Sequence, residues 1–268
     1  MDTAEKFLRD LDKTPEAPFI IDQLLPDNRQ AFSIICGRPE IGKTNLALYL
    51  AFCLALGKPF FSFKTEQKKT GYLFMESGTF QIGTRVRKLA NHFREIPPKL
   101  HIQPIDPTPL TPIGYLKLAE LIAGLEVLII DPLKFLIPGD YMKPTDVMKA
   151  LTTLLKLQND FSFTSILIGH IRKPPTKGIE DPDDYWTNLK GPTEYLEMAN
   201  SALMLTKPRH SRDNKGHFSS NQNDRQLHFI KSRDASRELE HLNLRFDRET
   251  LIYLPLTEDF EEAEQSTF

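Results

Sequence analysis

The 268-residue sequence is short of cysteine, of an excess of either charge, and of long apolar runs. Its two cysteines, Cys36 and Cys53, cannot form a disulfide framework and are typical of small buried side chains in a reducing cytoplasm. The formal net charge of −2 gives no overall attraction to nucleic acid, so any such binding must come from local patches.

No segment has the character of a membrane span or a signal peptide. The longest strongly apolar run, residues 46–56, is too short to cross a bilayer. Residues 1–5 lack the basic and apolar regions of a signal peptide. We therefore expect a cytoplasmic protein without a membrane partner, built from one large α/β domain or at most two small ones.

A phosphate-binding pattern lies between a buried strand and an apolar helix. The apolar run 32–36 leads directly into Gly37-x-x-x-x-Gly42-Lys43-Thr44, and the helix that follows ends at Gly57. The glycines let backbone N–H groups turn toward a phosphate, and the helix adds the positive end of its dipole. A chance match is the alternative, expected in roughly 1% of chains of this length.

We predict an ATP site here. Lys43 would reach the β- and γ-phosphates, and the Thr44 hydroxyl would hold Mg²⁺. The predicted nucleotide-binding residues are Gly37, Arg38, Pro39, Glu40, Ile41, Gly42, Lys43, Thr44 and Asn45.

Short apolar runs alternate with helical patterns through most of the chain. Continuous apolar strands of this kind favour a mostly parallel twisted sheet that is flanked by helices on both faces. Predicted strands lie at 70–75, 99–105, 126–130, 165–170 and 202–205, and predicted helices at 80–93, 115–123, 192–199 and a segment capped by Thr145. Three closely spaced strands, at 226–230, 241–246 and 250–254, predict an antiparallel extension at the C-terminus.

Three polar residues follow predicted strands. Asp131 is placed to hold Mg²⁺ through water, although an apolar run that ends in Asp is a weak signal without the P-loop. Glu76 should approach the γ-phosphate and deprotonate the attacking water, because the carboxyl ends of parallel strands share one crevice. His170 can hydrogen-bond the γ-phosphate and report its loss. The alternatives are a solvated glutamate and a histidine without a role.

The ordered set of motifs resembles the RecA-type ATPase core of hexameric replicative helicases. The likeness is greatest to stand-alone plasmid RepA-type helicases and more distant to the motor of DnaB-like helicases, and it covers roughly residues 18–255. It implies a RecA-like P-loop NTPase fold, ATP and Mg²⁺ as ligands, and single-stranded DNA and a hexameric ring as partners. The motifs are the P-loop, Glu76, Asp131-Pro132, Gly169-His170 and Lys231-Ser232-Arg233.

The resemblance implies a role for each matching position. Glu76 corresponds to the catalytic base, His170 to the sensor before the second DNA loop, and Lys231 and Arg233 to finger residues that act on a neighbour's nucleotide. Residues i and i+2 of a strand share a face, so these two cations can act together if they reach a γ-phosphate. The alternative is an edge-strand device against aggregation.

Basic residues follow Asp131 and His170, where the resemblance places the DNA loops. An acidic segment, residues 179–184, lies in the second of these loops and would repel phosphate, so we expect a modest, salt-sensitive affinity. The predicted DNA contacts are Lys134, Lys143, Arg172, Lys173, Lys177 and Lys190.

Three segments are predicted along the chain. Residues 1–17 form a helical arm that packs either on its own core or on a neighbouring subunit, residues 18–256 form the ATPase domain, and residues 257–268 form an acidic tail. The tail is either solvated or docks on a replication protein. The leading hypothesis is an ATP-dependent helicase or translocase on single-stranded DNA. The alternatives are a RecA-like or RadA-like recombination or repair ATPase, and a regulatory ATP-binding module.

Overall fold

The computed structural model describes residues 3–11, 19–28, 31–170, 194–208, 222–236, 239 and 241–256. The described helices are α1 (Ala4–Leu11), α2 (Lys43–Leu56), α3 (Thr79–Phe93), α4 (Pro112–Ile122), α5 (Pro144–Phe161) and α6 (Glu194–Met198). The described strands are β1 (Phe19–Ile21), β2 (Leu25–Pro26), β3 (Phe32–Gly37), β4 (Thr70–Phe74), β5 (Leu100–Pro104), β6 (Val127–Asp131), β7 (Thr164–Ile168), β8 (Ser201–Thr206), β9 (Asp224–Ser232), β10 (Leu242–Phe246) and β11 (Tyr253–Pro255).

Nine strands form one sheet in the order β11-β10-β9-β8-β3-β7-β6-β4-β5. The six strands from β8 to β5 in this order run parallel, and β9, β10 and β11 are antiparallel. The predicted α/β class, with its mostly parallel sheet and C-terminal antiparallel extension, is confirmed. We call the side where the parallel strands end the carboxyl edge, and the opposite side the amino edge.

Two apolar layers cover the sheet. One contains α2 and the inner face of α3, and the other contains residues of α4, α5 and α6. Helix α2 is buried on almost every side, which explains why its sequence is apolar throughout and has no polar stripe. It ends at Gly57, whose left-handed φ of 67° suits a helix C-terminus. None of the described helices is long and apolar enough to cross a membrane.

Some local predictions were wrong. Phe80 was expected to face inward in α3, but it is 86% exposed. The buried stripe of α3 begins at Ile82, and two residues of about 100° each place Phe80 on the opposite face. Helix α5 is preceded by Lys143 rather than capped by Thr145, because Pro144 occupies the first helical position that proline favours.

Other predictions lie outside the described residues, including the loop 171–190 and the acidic tail. The short pair β1 and β2 was not predicted. In α1, which is described over its whole predicted range, Leu8 is 56% exposed.

Candidate active site

The P-loop connects the central strand β3 to α2 at the carboxyl edge. A Cβ atom on Gly37 would lie 2.6 Å from the carbonyl oxygen of Leu205 in the neighbouring strand β8, so only glycine fits this approach. Gly42 precedes α2 with a φ of 112°, which other residues rarely adopt. The tip of the loop, residues 38–40, is exposed, whereas Ile41 is buried. The backbone therefore forms an exposed bracket on a fixed base.

Lys43 is a buried cation inside this bracket. Its Nζ donates hydrogen bonds to the carbonyl oxygens of Gly37 at 3.0 Å and Arg38 at 2.7 Å. Desolvation lowers the pKa of Lys43 to about 8, although the Asp131 carboxylate acts in the opposite direction. The lysine charge is thus available to an anion at neutral pH and at small desolvation cost.

Asp131 ends β6 beside the P-loop and is only 7% exposed. The hydroxyl of Tyr72, on the neighbouring strand β4, donates a 2.7 Å hydrogen bond to its Oδ2 atom. Burial and the Asp131 charge raise the pKa of Tyr72 well above its ordinary value, so the phenol remains a donor. Nothing in the sequence marked Tyr72 except a polar atom within an apolar strand.

The donors at this position fit Mg²⁺. The Thr44 hydroxyl lies in the first turn of α2, and the Asp131 carboxylate retains one oxygen that does not accept from Tyr72. Hydroxyl and carboxylate oxygens are the hard ligands that Mg²⁺ prefers.

Glu76 follows β4 and lies in a cluster of charges. The backbone N–H of Met75 donates to the carbonyl of Asp131 at 3.0 Å, which ties the start of this segment to β6. The Glu76 carboxylate lies 2.8 Å from Lys134 Nζ and 3.4 Å from His170 Nε2. Desolvation favours the neutral acid, but the hydrogen bond and charge of Lys134 outweigh it, so the pKa of Glu76 is below its ordinary value.

His170 follows β7 and contacts the same carboxylate. Desolvation and the charge of Lys43 lower the pKa of His170, and Glu76 only partly opposes them. The imidazole is therefore mainly neutral at physiological pH. Its backbone carbonyl accepts a 3.1 Å hydrogen bond from the hydroxyl of Tyr141, which anchors the start of the following segment.

The structure brings Lys43, Glu76, Asp131 and His170 together. Lys134, predicted as a DNA contact, pairs with Glu76 and lies over the ring of Phe135 at 4.7 Å. Lys143 is exposed before α5. Four other predicted DNA contacts, Arg172, Lys173, Lys177 and Lys190, lie outside the described residues.

Lys231 and Arg233 lie at the amino edge, away from the P-loop of their own chain. Lys231 pairs with Ala202, three residues before the Leu205 that pairs with Gly37, which is about 10 Å along the sheet. Lys231 Nζ donates to the carbonyl oxygens of Leu196 at 2.8 Å and Glu197 at 2.6 Å, and Arg233 also donates to Glu197.

Both cations therefore cap the C-terminus of α6, which favours positive charge. The edge-strand alternative for this pair is wrong, because β9 lies between β8 and β10.

A P-loop at the carboxyl edge of a mostly parallel sheet, with carboxylates after two adjacent strands, defines a RecA-type P-loop ATPase core. The chain belongs to the AAA domain family (AAA_25), whose profile matches residues 3–176.

Two solved structures support this fold. One is a DnaB-like replicative helicase described with its interactions with primase, with 14% identity, a TM-score of 0.67, and coverage of 96% of this chain and 68% of that chain. The other is a separately solved ATPase domain, with 15% identity, a TM-score of 0.62, and coverage of 94% of this chain and 97% of that chain. No curated protein matches the sequence. The chain thus has the fold of a RecA-type helicase ATPase.

Proposed function

We propose that this protein is an ATP-dependent helicase or translocase of the ring-forming replicative type, which moves on single-stranded DNA. One observation carries the proposal. The P-loop and the carboxylates Glu76 and Asp131 lie together at the carboxyl edge, whereas Lys231 and Arg233 lie at the other edge of the same sheet. A second copy of the chain can supply those cations to a shared ATP site.

In the proposed complex, Lys43 exchanges its two carbonyl partners for oxygens of the β- and γ-phosphates. Thr44 and Asp131 hold Mg²⁺, which neutralises charge on the triphosphate when bound. Tyr72 keeps Asp131 oriented through its hydrogen bond.

Glu76 acts as the general base. Its lowered pKa keeps it ionised, so it can accept a proton from the attacking water once Lys134 moves aside. His170, as a neutral imidazole, hydrogen-bonds the γ-phosphate and transmits its loss to the segment that follows.

Single-stranded DNA, six subunits in a ring and a cytoplasmic location are part of this proposal, supported by the fold shared with a DnaB-like replicative helicase. Lys134, Lys143, Arg172, Lys173, Lys177 and Lys190 would contact DNA, residues 1–17 would form a separate arm, and the acidic tail would bind a replication protein.

The direct test measures ATP hydrolysis with and without single-stranded DNA. We expect DNA to stimulate hydrolysis, and we expect Glu76→Gln to lower kcat by about 10²–10⁴-fold while ATP binding persists. Hydrolysis that DNA does not stimulate would rule out the motor. Electron microscopy with an ATP analogue and DNA then distinguishes closed rings from the filaments of a recombination ATPase.

A further inference from the structure

Two side chains of the C-terminal strands hold the P-loop from its outer side. Arg225, near the start of β9, donates from Nε to the carbonyl oxygen of Ile41 at 3.0 Å. Tyr253, at the start of β11, donates from its hydroxyl to the carbonyl oxygen of Gly42 at 2.9 Å. The two acceptors are consecutive carbonyls at the point where the loop becomes α2. We call these two side chains the P-loop brace.

The brace is buried and closely fitted. Arg225 is 8% exposed and Tyr253 is 1% exposed. The Arg225 guanidinium is held by further hydrogen bonds from Nη1 to the carbonyls of Gln222 at 2.8 Å and Asp224 at 2.7 Å. A Cβ atom on Gly42 would lie 2.1 Å from the Tyr253 hydroxyl. The glycine of the motif is therefore required by the brace as well as by its own φ.

The geometry of the peptide bond links the brace to the phosphate side of the loop. In a trans peptide, the carbonyl of one residue and the N–H of the next lie in one plane and point in opposite directions. Holding the Ile41 carbonyl outward turns the Gly42 N–H inward, and holding the Gly42 carbonyl does the same for the Lys43 N–H. Peptides beside a glycine rotate easily, so these two planes need external support.

We propose that Arg225 and Tyr253 are positioning residues for phosphate binding. They fix the directions of the Gly42 and Lys43 N–H groups and so set the affinity for nucleoside di- and triphosphates. This inference rests on the proposed nucleotide site, but it does not depend on DNA binding or on a ring.

The test compares Tyr253→Phe and Arg225→Gln with the control Ser33→Ala. Ser33 also contributes a buried hydroxyl, 2.6 Å from the Ser201 hydroxyl, but it lies on β3 toward the amino edge. Dissociation constants for ATP, ADP and AMP are measured by calorimetry, together with the Tm of each variant.

We expect Tyr253→Phe to weaken ATP and ADP binding by about 5-fold, the loss of one hydrogen bond. Arg225→Gln should weaken both by about 10-fold or more, because the lost bond is charge-assisted. AMP binding should change little, because the loop N–H groups cradle the inner phosphates and AMP has only one. Ser33→Ala should lower the Tm and leave the ratio of ADP to AMP affinity unchanged.

The outcomes separate two failures. If the parent protein binds ADP and ATP, and folded Tyr253→Phe binds both with parental affinity or loses AMP affinity equally, the brace is overturned. If the parent protein binds neither nucleotide, the proposed function is overturned and the brace with it. Tyr253→Phe keeps the ring packing, so it decides the matter even if Arg225→Gln does not fold.

Discussion

The two edges of the central sheet carry charge in different ways. At the carboxyl edge, Lys43, Glu76 and His170 lie close enough to shift one another's pKa values. At the amino edge, Lys231 and Arg233 neutralise carbonyls of α6 and have no carboxylate partner within 4.0 Å among the described residues. The first edge is thus a site assembled within one chain, and the second carries cations that this site does not use.

Strand β9 connects the two edges. Arg225 supports the P-loop at one end, and Lys231 lies six residues further on, about 20 Å along the strand. The strand that completes the chain's own P-loop therefore also carries the cations proposed for a neighbour's ATP.

The strongest way to break this comparison is to separate the two edges onto different chains. Glu76→Gln and Arg233→Ala should each lower hydrolysis by about 10³-fold, because one removes the base and the other the finger. An equimolar mixture should recover about a quarter of parental activity, since random assembly of a heterologous interface pairs an intact base with an intact finger at that frequency.

The measurement is steady-state hydrolysis of the mixture against each variant alone. Arg245→Ala is the matched control, because Arg245 is exposed on β10 and pairs with Asp224 at 2.9 Å. If the mixture is no more active than its components, Arg233 acts within its own chain, as a helix cap and no more.

A smaller effect is expected from Tyr72→Phe at the carboxyl edge. The change keeps the buried ring and removes the donor to Asp131. The Mg²⁺ concentration that half-saturates hydrolysis should rise about 10-fold, the usual cost of losing an outer-shell partner. Tyr115→Phe, which removes an exposed hydroxyl bonded to Asp160, should leave it unchanged. An unaltered Mg²⁺ requirement in Tyr72→Phe would show that Asp131 holds no metal.

The smallest expected effect is on the pH dependence of ATP binding. In the nucleotide-free protein the pKa of Lys43 is about 8, below its ordinary value, so the ammonium that attracts phosphate is lost as the pH rises through 8. Between pH 7.5 and 8.5 the charged fraction falls about 3-fold, and the Kd for ATP should rise by that factor. Calorimetry at constant ionic strength checks this. A constant Kd up to pH 9.5 would contradict it.

Contacts within a few residues were predictable. The spacing of Gly37, Gly42 and Lys43 specifies a bracket of N–H groups, and apolar runs that end in Glu76 and Asp131 specify where strands stop. The site was therefore found as a set of strand ends. Its charge state was not, because the ion pair of Glu76 with Lys134 joins segments 58 residues apart.

The sequence by itself determined the P-loop, the mostly parallel sheet and the edge at which the polar residues meet, because each follows from local spacing and alternation. Only the tertiary structure decided that Tyr72 supports Asp131, that Lys231 and Arg233 cap α6, and that Arg225 and Tyr253 brace the P-loop. The brace joins residues 184 and 211 positions apart. No local pattern records such a pairing, since it depends on the order of strands in the folded sheet.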